Sequence, residues 1–354
     1  MLKNGGKLIM SNLAREMMDS TLVVDGLFHA ILKDPPPECG IGKDIVDMIL
    51  DGGVNCLSNT VVSDGFSSTF NDLCNEVYSH NVLVDVIPNK FMIAETVDDI
   101  YKAKKEGKLA FIMSTQGSDF LEADLRKISL SYKLGLRIVQ ITYNNECSFG
   151  CGAYVKNDTG LTRFGHQAII EMNRVGMVID ISHVGEKTAM EAIEASSDPV
   201  IYSHAGVRAI SKHIRNATDE HIKALSKKNG VLGICPHGVM TTNDLTKRPT
   251  VDNYIDAFLH VANLTGTMDN VGVGTDRWSR NTLANEFKRV DFERTTKGFF
   301  GLFDGDHKHV EGFNYYDEWE NFVDRMIARG LNDADIKKIL GDNFIRVFKQ
   351  VWKV

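Results

Sequence analysis

Long apolar runs are missing from this chain. No window of its 354 residues approaches the roughly 18 to 20 consecutive apolar positions that cross a bilayer. The opening MLKNGGKLIMSNLAREMMDS interrupts its apolar residues with Asn, Arg, Glu and Asp, so neither a membrane span nor a signal peptide is expected. Cysteine is scarce: six residues are too few for a disulfide scaffold, and several sit in strand-like runs where Cys acts as a small hydrophobe, which makes the cytoplasm the expected compartment. Only seven prolines occur, and no Pro/Ser-rich linker divides the sequence. Charge of one sign is nowhere gathered: the net value is −7, with Lys and Arg scattered among Asp and Glu, which argues against nucleic acid as a partner. G-x-S-x-G, G-x-x-x-x-G-K-[ST] and H-E-x-x-H are all absent. What is there, 43% hydrophobic and 25% charged residues with 30 glycines, suits two average domains or one large barrel.

A repeated unit favours the barrel. Short Val/Ile/Leu-rich runs alternate with amphipathic stretches of 10 to 15 residues, the signature of parallel strands covered on both faces and joined by helices. Strands are expected at 22–25, 54–62, 82–87, 108–114, 137–143, 177–182, 199–203, 231–235 and 271–275, nine in all. The predicted fold is therefore α/β, a parallel TIM-like (β/α)8 barrel with one extra strand, in a single domain over 1–354. Helix starts are marked by Thr218 with Asp219 and Glu220, and ends by Gly176 and Gly230. The stretch 280–314, containing Phe299-Phe300-Gly301-Leu302-Phe303, is expected to be an insertion, a lid or the contact of a homodimer, and 315–354 to form C-terminal helices.

Barrel active sites lie at the carboxyl ends of the strands. The polar residues there are Asp25 followed by His29, Asn59, Gln116, Tyr143 with Asn144 and Asn145, His183, His204, Cys235 with His237, and Asp276. His183 and His204 end consecutive expected strands, which would bring both imidazoles together at one mouth. Such a pair suits zinc, and a nearby Asp suits the handling of a proton. Gly272 and Gly274 leave open close packing or phosphate binding. Cys147 and Cys151, four apart, are read as a redox or packing coincidence and not as a zinc site.

Several of these segments resemble one family. They are Gly160-Leu161-Thr162-Arg163-Phe164-Gly165, Met172-Asn173-Arg174-Val175-Gly176-Met177-Val178-Ile179-Asp180-Ile181-Ser182-His183-Val184, Pro199-Val200-Ile201-Tyr202-Ser203-His204-Ala205 and Arg215-Asn216. With Val271-Gly272-Val273-Gly274-Thr275-Asp276 and Gly341-Asp342-Asn343-Phe344-Ile345-Arg346-Val347, they are similar to the membrane (renal) dipeptidases, peptidase family M19. Tyr143-Asn144-Asn145 is similar to a divergent bacterial branch of it.

The resemblance implies a metal-dependent hydrolase barrel that cuts dipeptides with two zincs. His183 and His204 match ligands of one metal, Arg215 matches an arginine that holds the substrate carboxylate, and Asp276 matches an aspartate that handles protons.

Three departures stand against this. Where the family's first strand ends Asp-Gly-His-x-Asp, the chain reads Asp25-Gly26-Leu27-Phe28-His29; Gln116 replaces a bridging Glu; Tyr143 replaces a His. A neutral amide does not offset two dications, so a full two-zinc centre is not expected, and the cofactor is one zinc ion or none. The expected ligands are His183, His204, His29 and Asp25, the substrate-binding residues Arg215, Asn144 and Gln116, and the catalytic residues Asp276 and Tyr143. The expected function is hydrolysis of a small carboxylate-bearing substrate, a dipeptide or related amide. The alternatives are a non-hydrolytic binding protein, a metal-independent reaction on the same barrel, or phosphate binding at the two glycines.

Overall fold

The computed structural model describes residues 3–29, 43–63, 69–244, 246–278 and 309–353. Its strands, in chain order, are β1 (Val24–His29), β2 (Cys56–Ser63), β3 (Phe91–Ile93), β4 (Leu109–Gln116), β5 (Leu136–Gln140), β6 (Val178–Asp180), β7 (Ile201–Ala205), β8 (Val231–Ile234), β9 (Val271–Val273) and β10 (Arg277–Trp278). All ladders between them are parallel. The hydrogen-bonded order runs β1-β2-β4-β5-β6-β7-β8-β9, and β9 returns to β1 through Asp25 opposite Val273, which closes an eight-stranded barrel. β3 lies outside this circuit on the early half of β4, Phe91 opposite Leu109, and β10 resumes the run along β1, Phe28 opposite Arg277.

One expected strand is a helix. Residues 82–86 finish the helix Phe70–Val86, and the added strand is β3, five residues further on. Val82, Val84 and Val86 favour a strand locally. The helix wins because Thr69 and Asp72 close a capping box at its start and Leu73, Val77, His80 and Leu83 form its buried stripe. The segment Phe299 to Phe303 lies outside the described residues. After it come the helix Trp319–Ala328 and, beyond a break, Asp333–Lys337, which passes through a wide turn at Lys338–Asp342 into Asn343–Val351.

Strand periodicity sorts the core into two shells. Leu57, Phe111, Val139, Ile179 and Leu232 pack outward against the helices, whereas Val24, Cys56, Ala110, Ile112, Ile138, Val178, Ile201 and Val231 pack inward around Phe344. Phe344, from the last helix, fills the barrel at the amino ends of its strands. Gly272 is needed there, since a Cβ would meet the Phe344 ring at 2.5 Å, and a Cβ on Gly274 would strike the Ser203 carbonyl. Close packing thus accounts for both glycines, and the phosphate reading loses its basis. The mouth at the opposite end is left to polar residues.

Candidate active site

Two imidazoles converge at this mouth. His183 Nε2 and His204 Nε2 are 2.9 Å apart, and both residues are buried. Their hydrogen-bond partners fix which nitrogen carries the proton. His183 Nδ1 faces Asn144 Oδ1 at 2.8 Å, an acceptor, so it donates. Ser203 Oγ donates to Asp180 Oδ2 at 2.6 Å and therefore accepts from His204 Nδ1, 2.8 Å away. Both Nε2 atoms consequently present lone pairs to one another, an arrangement completed by a cation or a shared proton between them. Gln116 adds its side-chain amide 3.2 Å from His204 Nε2, and its buried Oε1 has no hydrogen-bond partner among the described residues.

The support beneath the pair is rigid. Asp180, at the end of β6, accepts from the backbone NH groups and hydroxyls of Ser182 and Ser203 at 2.6 to 2.9 Å. Burial pushes its carboxyl upward against those four donors. The ring of Tyr143 stacks on His183 at 4.1 Å between centroids. Burial, joined by the Arg215 charge, drives His183 well below the ordinary histidine value, and burial does the same to His204. Both imidazoles are neutral near pH 7 and available as ligands.

Asp276 stands across from them, its side chain 13% exposed. His29 Nε2 donates to Oδ1 at 2.8 Å, and Oδ2 lies 3.5 Å from His237 Nε2. Burial opposes the charge on Asp276, yet His204, His29 and His237 outweigh it and hold the carboxyl well below the usual range. Cys235 joins this group: its Sγ, a ring nitrogen of His237 and a carboxylate oxygen of Asp276 all lie within 4.8 Å of one another. Arg215 is buried nearby. Its Nη2 donates to the His204 carbonyl at 3.3 Å, its Nε has no partner among the described residues, and desolvation lowers its affinity for its proton, an effect that Asp276, Tyr143 and Tyr154 offset only in part.

His29, Gln116, Tyr143, Asn144, His183, His204, Arg215 and Asp276 therefore meet at one mouth. Asp25 does not join them. Its Oδ1 accepts from Thr275 N (2.8 Å) and Leu27 N (3.2 Å), and its Oδ2 from Thr275 Oγ1 (2.5 Å) and Tyr316 OH (2.7 Å). Sequence reasoning marked Cys235 and His237 as strand-end residues without giving them a role, and it missed Asp180, Ser203 and Tyr154. An acidic residue ending β6 and a serine preceding His204 were the available signals for two of these.

Such a barrel mouth, lined by imidazoles with one carboxylate and a buried guanidinium, is of the metal-dependent hydrolase type. The model of the membrane dipeptidases, peptidase family M19, matches residues 66–291 and 296–354, and the chain belongs to that family. A dipeptidase of Claviceps purpurea is 29% identical over 271 residues, 76% of this chain and 57% of its own length. Dipeptidase 3 of Rattus norvegicus is 26% identical over 254 residues, 70% of this chain and 46% of its own. The chain thus spans about half the length of these curated relatives. Among solved structures, an amidohydrolase of Pseudomonas aeruginosa is 27% identical with a TM-score of 0.82, covering 96% of this chain and 99% of that one. A metallopeptidase of Rhodobacter sphaeroides, solved with a phosphinate mimic of the dipeptide L-Ala-D-Ala, shares the fold at 17% identity and a TM-score of 0.76, covering 94% and 100%. No helix among the described residues is long and apolar enough to cross a membrane.

Proposed function

We propose that this protein is a dipeptidase-type hydrolase that cuts the amide bond of a small carboxylate-bearing substrate. The observation that carries the reading is the facing pair of Nε2 lone pairs, 2.9 Å apart, with both Nδ1 atoms already engaged. The pair fits one zinc ion, held by His183 and His204 with Gln116 beside them, and such an ion would polarise the amide carbonyl and acidify water. Leu27 offers no donor atom and Gln116 no charge, which supports a centre reduced from the two-zinc arrangement.

The protein's own groups divide the remaining work. Arg215, desolvated and half-satisfied, grips the substrate carboxylate with its free guanidinium edge. Asp276, kept ionised, takes the proton released as water attacks, with His29 fixing the carboxylate's orientation. Tyr143, on the face of His183, donates to the developing oxyanion or to the departing amine. Asn144 sets the His183 tautomer and lines the same wall. On this reading His29 and Asp25, both expected as ligands, serve instead as the orienting group of Asp276 and as the fastening of β1 to the segment after β9.

The test is hydrolysis of a dipeptide panel before and after chelation, with zinc content measured by mass spectrometry. Turnover that chelation abolishes, zinc restores and His204→Ala removes is the expected result. A carboxylate ligand that binds without any turnover, with or without zinc, would establish the binding-protein alternative instead.

A further inference from the structure

Cys235 and His237 belong to a second group of donors on the β8 and β9 side of the mouth. β8 and β9 run in register, Leu232 opposite Val271 and Ile234 opposite Val273, so the residues that follow each strand emerge side by side. Cys235 and His237 are two residues apart across Pro236, a spacing that turns both toward the same side of an extended chain. Three contacts hold that segment. Cys235 N donates to the Ala205 carbonyl at 2.9 Å, Val310 N donates to the Pro236 carbonyl at 2.9 Å, and the His237 ring lies 4.8 Å from that of His309. Asp276 is brought in by an unusual backbone: its φ is +52°, a conformation costly for a residue with a side chain, and its NH is tied to the Leu27 carbonyl.

We propose that Cys235, His237 and Asp276 form a divalent-cation site of sulfur, nitrogen and oxygen donors, suited to zinc and separate from the His183–His204 position. Among the described residues this is the one trio of His, Cys, Asp and Glu whose ligand atoms all lie within 4.8 Å of one another. Donors around a tetrahedral zinc stand about 3.3 to 3.8 Å apart, given its bond lengths of roughly 2.0 to 2.3 Å, a spread that side-chain rotation reaches from here. Calcium and magnesium take oxygen donors and do not suit this set.

Charge distinguishes the two positions. His183, His204 and Gln116 are all neutral, so a dication between them draws its compensation from hydroxide and the substrate carboxylate, whereas one thiolate and one carboxylate cancel it within the protein. Cys235 and His237 are 1% and 2% exposed, where such compensation matters most. On loading, the Cys235 S–H bond breaks, its proton passes to solvent and the sulfur–metal bond takes its place. The second oxygen of Asp276 stays with His29 and keeps its other lone pair for the proton of the attacking water, so ligation and proton transfer use different oxygens of the carboxylate.

The proposal relies on the function above only for the location of the mouth, and cobalt(II) separates the two. The full-length chain, stripped of metal, is titrated with cobalt and followed by absorption. A near-ultraviolet thiolate-to-cobalt charge-transfer band should grow with one equivalent. It should disappear in Cys235→Ser and His237→Ala, each checked for folding by circular dichroism, and persist in the His183→Ala/His204→Ala double variant. Cobalt uptake without that band, or a band that survives Cys235→Ser, would overturn the trio and leave the imidazole-pair reading standing. Rapid alkylation of Cys235 by iodoacetamide that cobalt does not slow would likewise overturn it, marking the thiol as a nucleophile.

Discussion

His183 and Asp276 share a backbone conformation that side chains seldom adopt, with φ of +62° and +52°. Each stands just beyond a strand, and the strain aims its side chain across the mouth instead of along the barrel wall. Arg215 faces the same space, and its contribution is measurable. Arg215→Ala should weaken binding of a carboxylate-bearing dipeptide by about 2 to 5 kcal/mol in calorimetric titration, the range for losing one partner of a buried charge pair. The corresponding C-terminal amide should bind both proteins alike, and equal losses for acid and amide would remove the carboxylate role. His183, His204 and Asp276 were legible in sequence because each directly follows an apolar strand run. The partnership of Cys235, His237 and Asp276 was not, since it depends on the β8–β9 register and on the return of the chain near His309. Asp25 reads like any strand-end acid until Tyr316, 291 residues away, is seen to bind it.

The helix Phe70–Val86 shows both how local preference misleads and how burial couples to pH. Its three late valines suggest a strand, yet the buried stripe continues through His80 and Leu83. Burial lowers His80 to about 4, from 6.5, and raises Glu76, one turn earlier, to about 7, from 4.5. The two act in opposite directions. The His80 contribution to stability is complete above pH 6.5 and is lost as pH falls toward 4. The Glu76 contribution is complete below pH 4.5 and is lost as pH rises toward 7. The slopes therefore oppose one another between pH 4.5 and 6.5. Glu76→Gln should remove the second, so that stability climbs through this interval and exceeds that of the parent at pH 7.5. Because the Glu76 side chain is 35% exposed, the gain is about 1 kcal/mol and not the full value of its shift. Urea denaturation at a series of pH values reads it, and parallel curves for the two proteins would refute it.

The barrel as a whole was legible because eight of its strands are apolar runs between helices, each covered on both faces. β3 escaped notice because three residues carry little periodicity, and β10 because it has only two. The closure between β1 and β9 is fastened by Asp25, which takes two donors from Thr275 and one from Tyr316. Asp25→Ala should cost about 2 to 4 kcal/mol of unfolding free energy, since it strands several buried donors, while the zinc content stays unchanged. Loss of zinc at preserved stability would return Asp25 to the ligands. The same fastening governs when chemistry begins during synthesis. His29 and Asp276 are 247 residues apart in the chain, so a polypeptide still emerging from the ribosome carries a scattered set of side chains and no working centre. Whatever hydrolysis this mouth performs has to wait until the segment after β9 has docked on β1.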